Sequence, residues 1–128
     1  MKMNMDIKIR DKMIFGSYSP DGYLGGCKHF GRLSLETLKE LIKLEFADPE
    51  ETQNCSPAIA EFVEFMENHP GYYAHGYVVS DKRSDYRVTV EGIAKDGPCD
   101  DQDELEAYVA FARFADEFDM NPPYCWWD

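Results

Sequence analysis

The sequence predicts an α+β fold: a mainly antiparallel sheet of about four strands carrying three helices, in the order ββααββα. Three observations lead there. Apolar residues recur with period two over residues 1–10, and strand-like runs return at Tyr72 to Ser80 and Tyr86 to Ala94. Between them, two stretches space their apolar residues as an amphipathic helix does. Short polar turns join the strand-like runs in pairs, which favours hairpins and keeps helices apart from strands. At 128 residues the chain fits one domain, 1–128, able to bury roughly two-thirds of the surface exposed by its unfolded form.

Each element has its own warrant. In residues 1–10, Met1, Met3, Met5, Ile7 and Ile9 alternate with Lys2, Asn4, Asp6, Lys8 and Arg10, the pattern of a strand with one buried face. A turn at Asp11-Lys12 leads to a second strand over residues 13–18, and Ser19-Pro20-Asp21-Gly22 carries Pro and Gly where a type I turn takes them. Residues 23–33 are glycine-rich and read as irregular, with room for a short strand. Ser34 is an N-cap for a first helix running to about Phe46, with Leu35, Leu38, Leu41 and Ile42 inward, and Asp48-Pro49 ends it. Ser56 caps a second helix with Pro57 in its first turn; Ile59, Phe62, Val63 and Met66 form its stripe and Glu61, Glu64 and Glu67 its wet side.

His69-Pro70-Gly71 stops that helix, and the clearest strand signal follows. The runs Tyr72 to Ser80 and Tyr86 to Ala94 flank a polar loop at 81–85, a hairpin. Acidic residues from Asp100 to Glu104 suit the start of a third helix, because negative charge meets the positive end of the helix dipole. Leu105, Tyr108, Val109, Phe111, Ala112, Ala115 and Phe118 give it a wide apolar arc, so it should be the most buried of the three. Asn121-Pro122-Pro123 breaks it before the tail Tyr124-Cys125-Trp126-Trp127-Asp128.

Charge is unevenly distributed. The formal net charge is −12, yet residues 1–45 carry 8 basic and 6 acidic side chains, whereas 46–128 carry 5 basic and 19 acidic. Such a surface repels nucleic-acid backbones and anionic membranes and suits a basic protein. The apolar runs fall short of the roughly 20 residues of a membrane span, and no apolar stretch of a secretory signal follows the first residues. The expected location is therefore the cytoplasm, where four widely spaced cysteines, Cys27, Cys55, Cys99 and Cys125, read as free buried thiols.

Five places carry candidate chemistry. Cys27-Lys28-His29 resembles part of a zinc site, which would need ligands from His69, His75, Cys55 or Cys99; the spacing matches no zinc motif, and neither a metal nor any other cofactor is expected. Cys55 precedes a helix start, where a thiolate is favoured, with His69 or His75 as a base. Nearby Asp48, Glu50 and Glu51 oppose that ionisation. Tyr73, His75 and Tyr77 share one strand face and could line a ligand pocket, although aromatic residues on a strand more often pair across the sheet. The acids Asp100, Asp101, Asp103, Glu104, Asp116 and Glu117 form clusters without calcium-loop spacing. Trp126 and Trp127 end the chain and point opposite ways if extended, so one can be buried while the other meets a partner.

The leading expectation is thus a non-enzymatic binding protein: an inhibitor, an immunity-type antagonist or a mimic of nucleic-acid charge. Its contacts would be the two acidic clusters and Trp126 and Trp127. The alternatives are a thiol- or metal-dependent enzyme built on Cys55 and His75, and a small-ligand binder built on Tyr73, His75 and Tyr77.

Overall fold

The computed structural model describes residues 2–128. It is α+β, with five antiparallel strands in one sheet, ordered β1-β2-β3-β5-β4. The strands are β1 (Cys27–Leu33), β2 (Tyr72–Val79), β3 (Val88–Lys95), β4 (Glu117–Met120) and β5 (Pro123–Trp126). The helices are α1 (Ile7–Phe15), α2 (Leu35–Lys43), α3 (Ile59–Asn68) and α4 (Gln102–Ala112). No helix of the described residues is long and apolar enough to cross a membrane.

The central hairpin forms as its sequence predicts. Tyr72 pairs with Lys95 and Val78 with Val88. Ser34 caps α2, its side chain accepting the Thr37 N–H at 3.1 Å, and Asp101 caps α4 in the same way through the Glu104 N–H at 3.1 Å. The second predicted helix begins later than Ser56. Its N-cap is Ala58, whose N–H donates to Glu61 Oε1 at 3.0 Å, while the Ser56 hydroxyl accepts the Gln53 N–H in the preceding loop.

The N-terminal hairpin of the sequence reading does not form. Residues 7–15 are helical, capped by Asp6, and end at Gly16 in the left-handed region with φ 84°. Residues 13–18 finish that helix and bend away, and residues 20–22 form one turn of 3-10 helix. The strict alternation misled because burial does not follow it: apolar Ile7 and polar Arg10, three residues apart on one helix side, are the covered members. Arg10 and Asp11 are both 0 % exposed, whereas Met5 and Ile9 are 55 % and 50 % exposed. The glycine-rich stretch instead supplies a seven-residue strand, β1, which pairs with β2 from Cys27↔Val79 to Leu33↔Ala74.

The third predicted helix is also shorter than expected. It ends at Ala112, and the chain turns back as the β4–β5 hairpin, with Glu117 opposite Trp126 and Asp119 opposite Tyr124. Nor is this helix the most buried: only Tyr108 and Ala112 of α4 are fully covered, against Ile59, Phe62, Phe65 and Met66 of α3. The reason is its position at the end of the core. Tyr108 aims its hydroxyl at the Asp119 and Tyr124 carbonyls, 2.7 Å from each, while Leu105, Val109 and Phe111 pack on the rim of the core and stay half-buried.

One core lies between α2, α3 and α4 and one face of the sheet. Leu38, Leu41, Phe62, Met66 and Tyr108 meet Ala74, Val78, Val88, Val90 and Ile93 there. Trp127 joins them, its ring against Phe62 and Phe111. The helix α1 packs at the β1 end, where Lys28 Nζ lies 4.1 Å from the centre of the Phe15 ring. Among the described residues no helix packs on the opposite face of the sheet.

A buried charge anchors α1. Arg10 Nε donates to Asp11 Oδ1 at 2.9 Å, Nη1 to the Val79 carbonyl at 3.0 Å and Nη2 to Tyr23 Oη at 2.8 Å. The guanidinium also lies 4.5 Å from the centre of the Tyr86 ring. The Tyr23 hydroxyl donates in turn to Asp11; burial, then that bond, raises its pKa. Breaking such a pair strands a charge away from water. Arg10→Met is expected to cost ~3–5 kcal/mol of stability. In urea unfolding, the double variant Arg10→Met/Asp11→Leu should lose less than the sum of the two single variants. Strict additivity would count against a coupled buried pair.

Candidate functional site

The helix-free face of the sheet is built by a bulge in β3. His75 pairs with Gly92, but its neighbour Gly76 pairs with Val90, so Glu91 is an extra residue. The insertion puts Val90 and Ile93 both on the core side and turns Glu91 to the free side. There the Glu91 carboxylate accepts the Trp126 indole N–H at 3.4 Å and lies 3.8 Å from His29 Nδ1. Its backbone carbonyl accepts the Trp127 N–H at 2.8 Å, which ties the tail to β3.

Tyr73, His75 and Tyr77 do share this face, half-buried, as alternation requires. Each is engaged by a neighbour. Arg32 lies 4.3 Å from the Tyr73 ring centre while forking onto the Asp96 carboxylate at 2.8 and 2.6 Å. Tyr77 donates to Gln53 Oε1 at 3.2 Å and accepts from Arg87 Nη2 at 2.9 Å, with the His29 ring 5.7 Å away. Tyr73 also borders a cleft of about 320 Å³ beside Ser34, Leu35 and Gly71, which neither His75 nor Tyr77 lines.

His75 acts as a strap. Its ring stacks on Tyr124 at 5.1 Å with 9° between planes, and Nε2–H donates to the Cys125 carbonyl at 2.9 Å. It thereby reaches from β2 across β3 to β5. Gly92 makes this reach possible, because a Cβ there would sit 1.8 Å from the Cys125 carbonyl oxygen and 2.7 Å from the imidazole. Burial lowers the His75 pKa and the bond to Cys125 offsets only part of that, so the ring is a neutral donor at pH 7.

The thiols are dispersed. Cys27 lies on β1, where Arg83 Nη1 approaches its sulfur at 3.4 Å; Cys55 is exposed in the loop before α3, with φ 68°. Among the described residues no group of three His, Cys, Asp or Glu side chains could hold a metal ion. All four cysteines stand free, but only Cys125 is fully buried, which corrects the expectation of four buried thiols. His69 stacks on Phe65 at the end of α3.

Sequence reading missed a close polar group at the β3–α4 junction. The Glu104 carboxylate accepts from Lys95 Nζ at 2.6 Å and from the Cys99 thiol at 2.7 Å. Those two bonds outweigh burial and hold Glu104 below the usual carboxylate range, while the bond to Glu104 raises Cys99. Cys99 is therefore a protonated thiol that clips the β3–α4 loop to the helix. The signal was faint in the sequence because Lys95, Cys99 and Glu104 come from a strand, a loop and a helix.

The acidic candidates divide by use. Asp101 caps α4, Glu104 is paired with Lys95, and the Asp116 carboxylate accepts the Asp128 N–H at 2.8 Å. Asp100, Asp103 and Glu117 remain exposed. The tryptophans point opposite ways: Trp127 is 2 % exposed in the core and Trp126 lies half-buried on the free face. Leu105, Glu106, Val109, Ala110, Arg113 and Met120 line a groove of about 410 Å³ between α4 and β4. No protein-family model, curated protein or solved structure matches the chain.

Two outcomes follow from this geometry. A histidine with a lowered native pKa stabilises the fold fully above its ordinary value of about 6.5, and that contribution is lost as pH falls towards the native value. The urea midpoint of the protein should therefore drop below about pH 6.5 more steeply than that of His75→Gln; equal slopes would rule out the strap as the titrating group. Cys125 is pushed up to about 12 by burial. In native alkylation followed by mass spectrometry, Cys55 should react first and Cys125 only after unfolding.

Proposed function

We propose that this chain is a non-catalytic protein-interaction module that docks a basic protein, in the manner of an inhibitor or an immunity-type antagonist. The observation that supports this reading is the division of the acids in residues 96–128. Asp96 and Glu104 are neutralised by Arg32 and Lys95. Asp100, Asp103, Glu106, Glu117 and Asp119 are exposed, without a cationic partner among the described residues. The one base of the segment, Arg113, lies 4.8 Å from the centre of the Phe114 ring instead.

Uncompensated charge of one sign steers an oppositely charged protein and excludes those of like charge. Acids already paired or capping a helix add little to such a field; these five are free to act outward. The His75 strap and the Cys99 clip give those two groups holding roles within the fold.

Capture from cell extract at low salt, followed by kinetics on the purified pair, tests the reading. A basic protein should bind, with an association rate falling at least ~10-fold between 50 and 300 mM salt. The double variant Glu106→Lys/Asp119→Lys, away from the first turn of α4, should slow association at low salt and leave the thermal midpoint near that of the parent. A partner whose association ignores salt would defeat the proposal.

A further inference from the structure

The strand β4 occupies one end of the sheet and has a single neighbour, β5. Its four residues, Glu117, Phe118, Asp119 and Met120, are all exposed. An edge of this kind offers unpaired backbone donors and acceptors to any extended segment that reaches it, and proteins commonly blunt such edges with lysine, proline or a covering loop. This edge has no lysine or arginine. Its exposed charges are Glu117 and Asp119, which share the free face of the sheet with their register partners Trp126 and Tyr124.

Its other face is apolar. Phe118 and Met120, 38 % and 47 % exposed, turn towards α4, where Phe118 meets the Tyr108 ring at 6.4 Å. Met120 continues into the groove formed with Leu105, Val109 and Ala110. Phe114, 78 % exposed, lies in the turn that joins α4 to β4. The apolar arc of α4 is thus wider than its own core requires, and its surplus lies along the edge strand. Edge, groove and alternating charge coincide in one corner of the fold.

From this coincidence we infer that β4 is a docking edge for a basic, extended polypeptide segment, which adds to the sheet as a sixth strand. Alternate side chains of the incoming strand would fall on the two faces. Its apolar residues would enter the groove over Val109 and Met120. Its lysines or arginines would meet Glu117 and Asp119 on the free face, where opposite charges on neighbouring strands attract. Charge also decides against a second copy of this chain, because two β4 edges side by side would bring carboxylates against carboxylates. The inference rests on the basic-partner reading and names the chemistry and conformation of what binds.

Synthetic nine-residue peptides give the test. The probes are a Lys-Val alternating peptide, its Glu-Val counterpart, and a peptide with the Lys-Val composition interrupted by proline so that it cannot form a strand. Titration against the whole chain at 50 mM salt is read by Trp fluorescence and by amide hydrogen exchange. The Lys-Val peptide should bind and protect the amides of residues 117–120, and the other two should bind at least ~10-fold more weakly. Val109→Lys should weaken binding ~10-fold, and Glu117→Lys/Asp119→Lys should shift preference towards the Glu-Val peptide.

Equal binding of the proline-interrupted peptide, or protection elsewhere, would overturn the docking edge while leaving the basic-partner reading intact. Failure of every basic probe and of protein capture at low salt would remove both. Protection of 117–120 that appears on self-association, without peptide, would assign the edge to a second copy and overturn the inference.

Discussion

The Arg10 guanidinium is the constraint on which the placement of the N-terminal third depends. A fully buried cation is tolerated only when its donors and its charge are answered, and here four separate segments answer them. Asp11 comes from the same helix, Tyr23 from the approach to β1, the Val79 carbonyl from the end of β2 and the Tyr86 ring from the entry to β3. Tyr86 in turn donates to the Asn4 carbonyl at 2.8 Å, closing the chain over the pair. One side chain therefore holds α1 at the β1 end of the sheet and joins the start of the chain to both strands of the central hairpin.

The other end of the sheet is held by a different device. The bulge at Glu91 exposes a carbonyl for Trp127, and Gly92 lets His75 reach the Cys125 carbonyl. Together they dock the C-terminal hairpin against β3, where only Ala94 and Tyr124 are in register. A short ladder supported by a strap, a buried tryptophan and the Tyr108 hydroxyl suffices because each contact anchors a different residue of β5 or its tail. The strand beyond it, β4, has no such support on its outer side and stays open.

The division of labour among charged groups connects the fold to the proposed role. Near the sheet centre and the hairpin loop, cations are paired: Arg32 with Asp96, Arg83 and Arg87 with Asp85, Lys95 with Glu104. These short-range pairs leave little outward field. Residues 96–128 carry the surplus, and their single Lys or Arg, Arg113, lies over an aromatic ring. A field concentrated beside an open strand edge and an apolar groove is arranged for association, because steering and burial act at the same place.

The sequence by itself determined the α+β class, the central hairpin, the cap Ser34, the acidic start of α4, and the opposite faces taken by Trp126 and Trp127. These follow from local chemistry: period-two patterning, an oxygen one turn before free N–H groups, and adjacent side chains on an extended backbone. The Tyr73, His75 and Tyr77 face was legible for the same reason; its use was not, since the Cys125 carbonyl that holds His75 is distant in sequence. Tertiary structure alone decided the rest. Residues 1–10 alternate like a strand, but burying Arg10 with partners from three other segments outweighs placing Met5 and Ile9 inside. Residues 117–126 read as a helix end and a tail, yet the Tyr108 hydroxyl ties them as a hairpin and the Glu91 carbonyl takes the Trp127 N–H that follows. Local pattern reports which side chains prefer the interior; which of them reach it depends on the partners that the remaining chain brings to the same place.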